Sequence, residues 1–115
     1  MIRLYHNPRC SKSREALSLL ENAGAEVEVV EYLKHPPSYE ELERLLALLN
    51  MEPRDLMRQK EEEYAELYLD DITLEPRHLI TAMVDNPKLI ERPIAVRGER
   101  AVVGRPPERV LQLLD

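Results

Sequence analysis

The hydrophobic pattern of the first 32 residues changes its period twice, and this constrains the fold more than any other feature. Ile2–Tyr5 alternates in polarity and stops at an Asn-Pro pair, which predicts a short strand and a turn. From Ser11 apolar residues recur at three- and four-residue steps, and Gly24 then suits a left-handed helix cap. Val27–Tyr32 is rich in β-branched residues and predicts a second strand. A strand, a helix and a strand over so short a distance predict a βαβ unit with parallel strands.

The middle of the chain, residues 38–85, predicts helices. Ser38–Glu41 has the spacing of a capping box and is followed by leucines at helical spacing. Pro53 and Pro76 each stand where a helix can begin. On the helix that starts at Pro76, the residues expected to face inward are Leu79, Ile80, Met83 and Val84. Because the apolar stripes need a partner surface, we interpret this stretch as a helical insertion in a single domain of residues 1–115.

The last part of the chain predicts a hairpin and a final helix. Pro93–Val96 and Arg100–Val103 flank Arg97–Glu99, whose central glycine indicates a turn. Pro106-Pro107 then begins a helix. The residues expected on its buried face are Val110, Leu111 and Leu114. The order βαβ, helical insertion, ββα predicts an α/β fold of the thioredoxin-like type with a mixed four-stranded sheet.

Composition argues against several classes of function. The longest apolar run, Leu45–Leu49, is far too short to span a membrane, and no signal-peptide-like segment is found, so we expect a cytoplasmic protein without membrane contact. The net charge of −6 argues against nucleic acid as a partner. The single cysteine excludes an internal disulfide framework, and the three scattered histidines lack metal-ligand spacing, so we expect no metal.

Cys10 is the strongest candidate for chemistry. It follows the first predicted strand and begins the first predicted helix, where free N–H groups and the helix dipole favour a thiolate. Arg9, Lys12 and Arg14 add positive charge around it. The alternative is a buried and inert cysteine, which its polar neighbours disfavour. The pattern therefore indicates a reactive thiol with a lowered pKa.

Three motifs, in this order along the chain, resemble those of the glutaredoxin-dependent arsenate reductase family, the ArsC type. They are Tyr5–Arg14, with the sequence YHNPRCSKSR, then Asp55–Arg58, and then Ile90–Ile94 followed by Val103–Pro106. The resemblance spans nearly the whole chain. Since the chain stops at Asp115, we expect it to resemble the short chromosomal members.

The resemblance implies a role for each matched residue. Cys10 would be the nucleophile that attacks arsenic. The oxyanion would be held by Arg58, Arg92 and Arg105. Guanidinium groups suit arsenate because they form paired, charge-assisted hydrogen bonds with its oxygens, although Arg54 could serve in place of Arg58. Glutathione would be a co-substrate and a glutaredoxin a partner, with no bound cofactor.

Three further residues are candidates for supporting roles. His6 could approach Cys10 and help to ionise the thiol or relay protons, or it could face solvent. Ser13 could donate its hydroxyl to the thiolate or cap the first helical turn. By resemblance, Pro93 is the cis-proline that thioredoxin-like folds place opposite the active cysteine. The alternative for Pro93 is an ordinary trans-proline that opens an edge strand.

Three functions stay open at this level. The three arginines favour an arsenate reductase coupled to glutathione and glutaredoxin. A glutathione-dependent thiol oxidoreductase with another substrate could use the same cysteine. A non-enzymatic regulator that binds RNA polymerase and shares this fold is disfavoured, because Ser13 replaces the second cysteine of the C-x-x-C switch that such proteins commonly carry.

Overall fold

The computed structural model describes residues 1–115 and divides into two compact units. The first unit comprises Met1–His35 and Arg92–Asp115, and the second comprises Pro36–Glu91. The segment expected as a helical insertion, 38–85, lies inside the second unit. None of the helices has both the length and the apolar character needed to cross a membrane.

The first unit contains a four-stranded sheet. Its strands are β1 (Ile2–His6), β2 (Val27–Glu31), β3 (Ile94–Arg97) and β4 (Arg100–Val103). Their order is β2-β1-β3-β4, with β1 parallel to β2 and antiparallel to β3, and with β3 antiparallel to β4. The turn of the β3–β4 hairpin places Gly98 at a φ of 60°, which glycine adopts without steric cost. The predicted thioredoxin-like α/β fold with a mixed four-stranded sheet is confirmed.

Two helical elements contribute to the core of the first unit. Helix α1 (Ser11–Asn22) is followed by Gly24 at a φ of 81°, as predicted, and packs against a C-terminal 3₁₀ helix (Pro107–Leu114). The buried core consists of Ile2, Leu4, Ala16, Leu20, Ala95, Val110 and Leu113. The βαβ connection thus packs its helix against the sheet and carries the N-terminus of α1 to the edge where β1 ends.

The buried face of the C-terminal helix differs from the prediction. Val110 is fully buried, but Leu111 and Leu114 are only half-buried, and Leu113 is buried in their place. The reason is helix type: a 3₁₀ helix has three residues per turn, so positions three apart form one face. Pro107, Val110 and Leu113 follow that spacing.

The second unit is helical. Its elements are α2 (Tyr39–Leu49), a 3₁₀ turn (Pro53–Leu56), α3 (Glu62–Glu66), α4 (Pro76–Asp85) and a second 3₁₀ turn (Pro87–Leu89). Ser38 caps α2, because its Oγ accepts the Glu41 N–H at 3.1 Å. In α4 the residues buried as predicted are Leu79, Ile80 and Met83. Val84 is only half-buried, because it lies at the margin of this apolar face.

Candidate active site

Strand register gathers three loops at one edge of the sheet. Tyr5 of β1 lies opposite Ile94 of β3, and Ile94 lies opposite Val103 of β4. Because β3 is antiparallel to both neighbours, its start lies beside the ends of β1 and β4. The loops after β1, before β3 and after β4 therefore share this edge. They carry the candidate residues Cys10, Arg92 and Arg105.

Cys10 occupies the N-cap position of α1, in extended backbone with φ −97° and ψ 123°. Its N–H donates to the Asn7 carbonyl oxygen at 3.0 Å, and its own carbonyl accepts the Arg14 N–H at 3.0 Å. The half-buried side chain completes no capping hydrogen bond. The backbone N–H groups of Ser13 and Lys12 nevertheless act on the sulfur. The thiol thus takes the place where a serine or aspartate oxygen usually caps a helix.

Two arginines from the C-terminal part of the chain meet this sulfur. Arg105 Nη2 lies 3.9 Å from Cys10 Sγ, and Arg105 Nε donates to the Arg92 carbonyl oxygen at 2.8 Å. The Arg92 guanidinium stabilises the thiolate by hydrogen bonding and by its charge. The structure therefore brings Arg92 and Arg105 together at Cys10.

The environment of Cys10 acts on its pKa in opposite directions. Partial burial raises the pKa of the thiol, because the thiolate loses hydration. The N–H groups of Ser13 and Lys12 and the Arg92 guanidinium lower it, and their combined effect is larger. The first turn of α1 also contains no acidic residue. The pKa of Cys10 therefore lies below its ordinary value, which enlarges the nucleophilic thiolate fraction at neutral pH.

His6 and Ser13 bind each other. His6 Nδ1 lies 2.6 Å from Ser13 Oγ, and the Asn7 N–H donates to the same oxygen at 3.1 Å. Burial lowers the pKa of His6; the Glu31 carboxylate opposes this effect, and the charge of Arg14 adds to it. The lowered pKa favours a neutral ring, and in the tautomer with an unprotonated Nδ1 this nitrogen accepts the Ser13 O–H.

This pair differs from the interpretations open at the sequence level. His6 is only 6% exposed, so the solvent-facing alternative is wrong. The Ser13 hydroxyl hydrogen-bonds to His6 Nδ1 and accepts the N–H of Asn7 in the loop before α1, so it neither donates to the thiolate nor caps the helix. Ser13 acts on the Cys10 sulfur through its backbone N–H and not through its hydroxyl. These two side chains therefore support the loop that carries the thiol.

The segment around Pro93 packs tightly against the segment before Arg105. The Arg92-Pro93 peptide bond is cis, as the resemblance implied, and the Arg105-Pro106 bond is cis as well. Gly104 donates its N–H to the Pro93 carbonyl oxygen at 2.8 Å. A Cβ at Gly104 would lie only 2.8 Å from Pro93 Cγ, so no larger residue fits without a shift. The sequence did not predict this close contact of Gly104 with Pro93.

Arg58 belongs to the second unit. Its backbone N–H donates to the Leu89 carbonyl oxygen at 2.7 Å, and its Nε lies 3.4 Å from Glu61 Oε1. Its Nη1 is buried and has no hydrogen-bond partner. Arg54, the alternative to Arg58, donates instead to the carbonyl oxygens of two residues in the 69–71 loop. Of these two arginines, Arg58 therefore keeps the uncommitted donor.

Comparison with known proteins identifies the family. A family model described as the ArsC family matches residues 5–113. This chain belongs to the ArsC family. The uncharacterized protein YfgD of Escherichia coli (strain K12) is 55% identical over 114 residues, which cover 98% of this chain and 96% of that protein. The arsenate reductase of Neisseria meningitidis serogroup A is 46% identical over 114 residues, with 98% and 97% coverage.

A solved structure supports the same assignment. The arsenate reductase from Vibrio cholerae superposes on this ArsC-family chain with a TM-score of 0.95 at 53% identity. The superposition covers 97% of this chain and 96% of that chain. No group of three His, Cys, Asp or Glu side chains in this ArsC-family structure could hold a metal ion.

Proposed function

We propose that this protein is an arsenate reductase that uses glutathione and a glutaredoxin as reductants. The observation that carries the proposal is the meeting of Cys10 with two guanidinium groups at one edge of the sheet. A thiolate is a good nucleophile for arsenic, and guanidinium groups match the oxygens of arsenate. Relatives at 41–46% identity carry the name arsenate reductase.

The arginines would bind the oxyanion before the chemistry. Arg105 Nη2 lies 3.9 Å from the sulfur, so an arsenate oxygen bound to this guanidinium stays within reach of Cys10. The bond from Arg105 Nε to the Arg92 carbonyl oxygen orients the group in advance, which reduces the reorganisation needed on binding. Arg58 is proposed as a further donor on the basis of the motif and its unpartnered Nη1.

The first step would join the enzyme to arsenic. The Cys10 thiolate attacks arsenic, a sulfur–arsenic bond forms, and one arsenic–oxygen bond breaks; the departing hydroxyl takes up a proton from solvent and leaves as water. Glutathione then adds through its own thiol, and a second oxygen leaves as water. Arsenic is still pentavalent at this point. The positive groups around Cys10 stabilise both the incoming thiolate and the oxyanion.

The second step would transfer two electrons. A glutaredoxin thiolate attacks the glutathione sulfur, a disulfide forms, and the sulfur–arsenic bond breaks with its electron pair on arsenic. Arsenic becomes trivalent, and hydrolysis of the remaining Cys10–arsenic bond releases arsenite and the thiolate. Because Cys10 is the only cysteine in the chain, the sulfur atoms of the disulfide must come from outside.

A coupled assay tests the proposal. NADPH oxidation is followed with arsenate, glutathione, a glutaredoxin and glutathione reductase, and each component is omitted in turn. We expect an arsenate-dependent rate that disappears without glutathione and in Cys10→Ser, while Glu21→Gln, at an exposed site near the end of α1, behaves as wild type. A rate that persists when a thioredoxin system replaces glutathione would contradict the assigned reductant. No arsenate-dependent rate in the complete system would contradict the assigned substrate.

A further inference from the structure

The backbone of Arg58 is fixed by contacts within the second unit. Its N–H donates to the Leu89 carbonyl oxygen at 2.7 Å. The preceding residue, Met57, forms an antiparallel bridge with Ile90. These contacts set where the side chain of Arg58 begins, but they leave its rotatable bonds free. The long side chain therefore needs a contact of its own to keep one orientation.

Glu61 supplies that contact. Arg58 Nε lies 3.4 Å from Glu61 Oε1, and each of the two side chains is only 24% exposed. The backbone closes the same turn, because the Glu61 N–H donates to the Arg58 carbonyl oxygen at 3.2 Å. The surface pair of Arg3 and Glu28, by contrast, is about half exposed on both sides. Since solvent and salt screen a partly buried pair less than an exposed one, Glu61 can hold the Arg58 guanidinium in place.

The carboxylate of Glu61 uses only part of this guanidinium. The planar group has five N–H donors in fixed directions, so a carboxylate at Nε leaves other donors for a second acceptor. Nη1 of Arg58 is buried and has no hydrogen-bond partner. Although Glu61 occupies the N-cap position of α3, its side chain makes no capping hydrogen bond there. The contact with Arg58 is therefore the interaction that the structure gives to this carboxylate.

We propose that Glu61 is a positioning residue for the oxyanion site, which holds the Arg58 guanidinium so that Nη1 is left to an oxygen of the bound anion. The inference rests on the proposed function, in which Arg58 is a further donor to the oxyanion. With Glu61 in place, the anion binds a guanidinium that is already ordered. Without it, binding must also order this long side chain, which weakens the affinity by about fivefold.

Binding of inorganic phosphate to the intact protein tests this role. Phosphate has the shape and charge of arsenate but is not reduced by thiols, so its dissociation constant, measured by NMR chemical-shift titration, reports anion binding alone. Glu61→Ala and Glu61→Gln remove the same negative charge, but only Glu61→Gln keeps an oxygen that can accept from Arg58 Nε. We expect Glu61→Ala to bind phosphate about fivefold more weakly than Glu61→Gln.

Three further comparisons separate positioning from packing and from charge. Glu61→Met keeps the length of the side chain without an oxygen, and it should bind phosphate as weakly as Glu61→Ala. In an Arg58→Ala background, Glu61→Ala and Glu61→Gln should bind phosphate equally, because no guanidinium remains to be oriented. Glu62→Ala and Glu62→Gln, at the neighbouring exposed carboxylate, should also bind phosphate equally. Urea titration of each variant shows that it is folded under the conditions of the measurement.

The outcomes separate this inference from the proposed function. Equal phosphate binding by Glu61→Ala and Glu61→Gln, or no phosphate binding by wild type, overturns the role of Glu61. A difference that persists in the Arg58→Ala background, or that the two Glu62 variants also show, overturns it as well, because the effect would then not act through the Arg58 guanidinium. If the Glu61 variants differ as expected but wild type does not reduce arsenate, the role of Glu61 stands and the substrate assignment fails.

Discussion

Replacement of Arg105 by alanine tests the anion site most sharply. Its guanidinium places Nη2 3.9 Å from Cys10 Sγ and donates from Nε to the Arg92 carbonyl oxygen at 2.8 Å. Arg105→Ala removes one preoriented charged donor from the position where arsenate oxygens would lie. Loss of such a donor costs about 3 kcal/mol of transition-state stabilisation, so kcat/KM for arsenate should fall by about 10²- to 10³-fold.

Two further variants show whether the loss of activity in Arg105→Ala comes from the position of the guanidinium or from its charge alone. Arg105→Lys keeps the charge but cannot donate to the Arg92 carbonyl oxygen and bind an oxyanion through a planar fork at the same time. It should therefore recover only part of the lost activity. Arg109→Ala removes an exposed arginine four positions along the chain and should change kcat/KM by less than about threefold. Equal losses in Arg105→Ala and Arg109→Ala, or full recovery in Arg105→Lys, would refute the reasoning.

Three other predictions follow from the same geometry. The alkylation rate of Cys10 should rise with pH, with a midpoint below the ordinary thiol pKa of about 8.5. Arg92→Ala should shift this midpoint upward, because the guanidinium lowers the pKa of the thiol. A midpoint that Arg92→Ala leaves unshifted would contradict the role of that guanidinium. Ser13→Ala leaves the buried His6 Nδ1 without its partner and should lower the free energy of unfolding, measured by urea titration, by about 1–3 kcal/mol. A urea midpoint equal to that of wild type would mean that the pair is not formed. Gly104→Ala should lower the free energy of unfolding by about 1–3 kcal/mol, because the added Cβ overlaps the ring of Pro93. Unchanged stability would contradict that packing.

The fold could be predicted from the sequence because the change of hydrophobic period is local. The β1–α1–β2 unit and the β3–β4 hairpin each follow from adjacent residues and their turn signals. The buried face of the C-terminal helix was harder to predict. Leucines at 111, 113 and 114 fit either an α-helical or a 3₁₀ spacing, so the sequence pattern does not determine which of them is buried. Packing of Leu113 in the core determines that choice.

The sequence predicted the main residues of the candidate site but not the hydrogen bonds that hold them in place. Cys10 and the two arginines stand in recognisable motifs, and strand register brings their loops together. The His6–Ser13 hydrogen bond could not be read in advance, because it depends on side-chain directions that packing sets. The bond from Arg105 to the Arg92 backbone joins residues thirteen positions apart and has no sequence signal.

Direct measurement of arsenite tests the central claim. Wild type and Cys10→Ser are incubated with arsenate, glutathione, a glutaredoxin and the NADPH-regenerating system, and arsenite is separated from arsenate and quantified. We predict that wild type forms arsenite and consumes NADPH in equal molar amounts, and that Cys10→Ser forms no arsenite above the enzyme-free background. Arsenite formation by Cys10→Ser, or NADPH consumption by wild type without arsenite, would contradict the assignment of Cys10 as the nucleophile of an arsenate reductase.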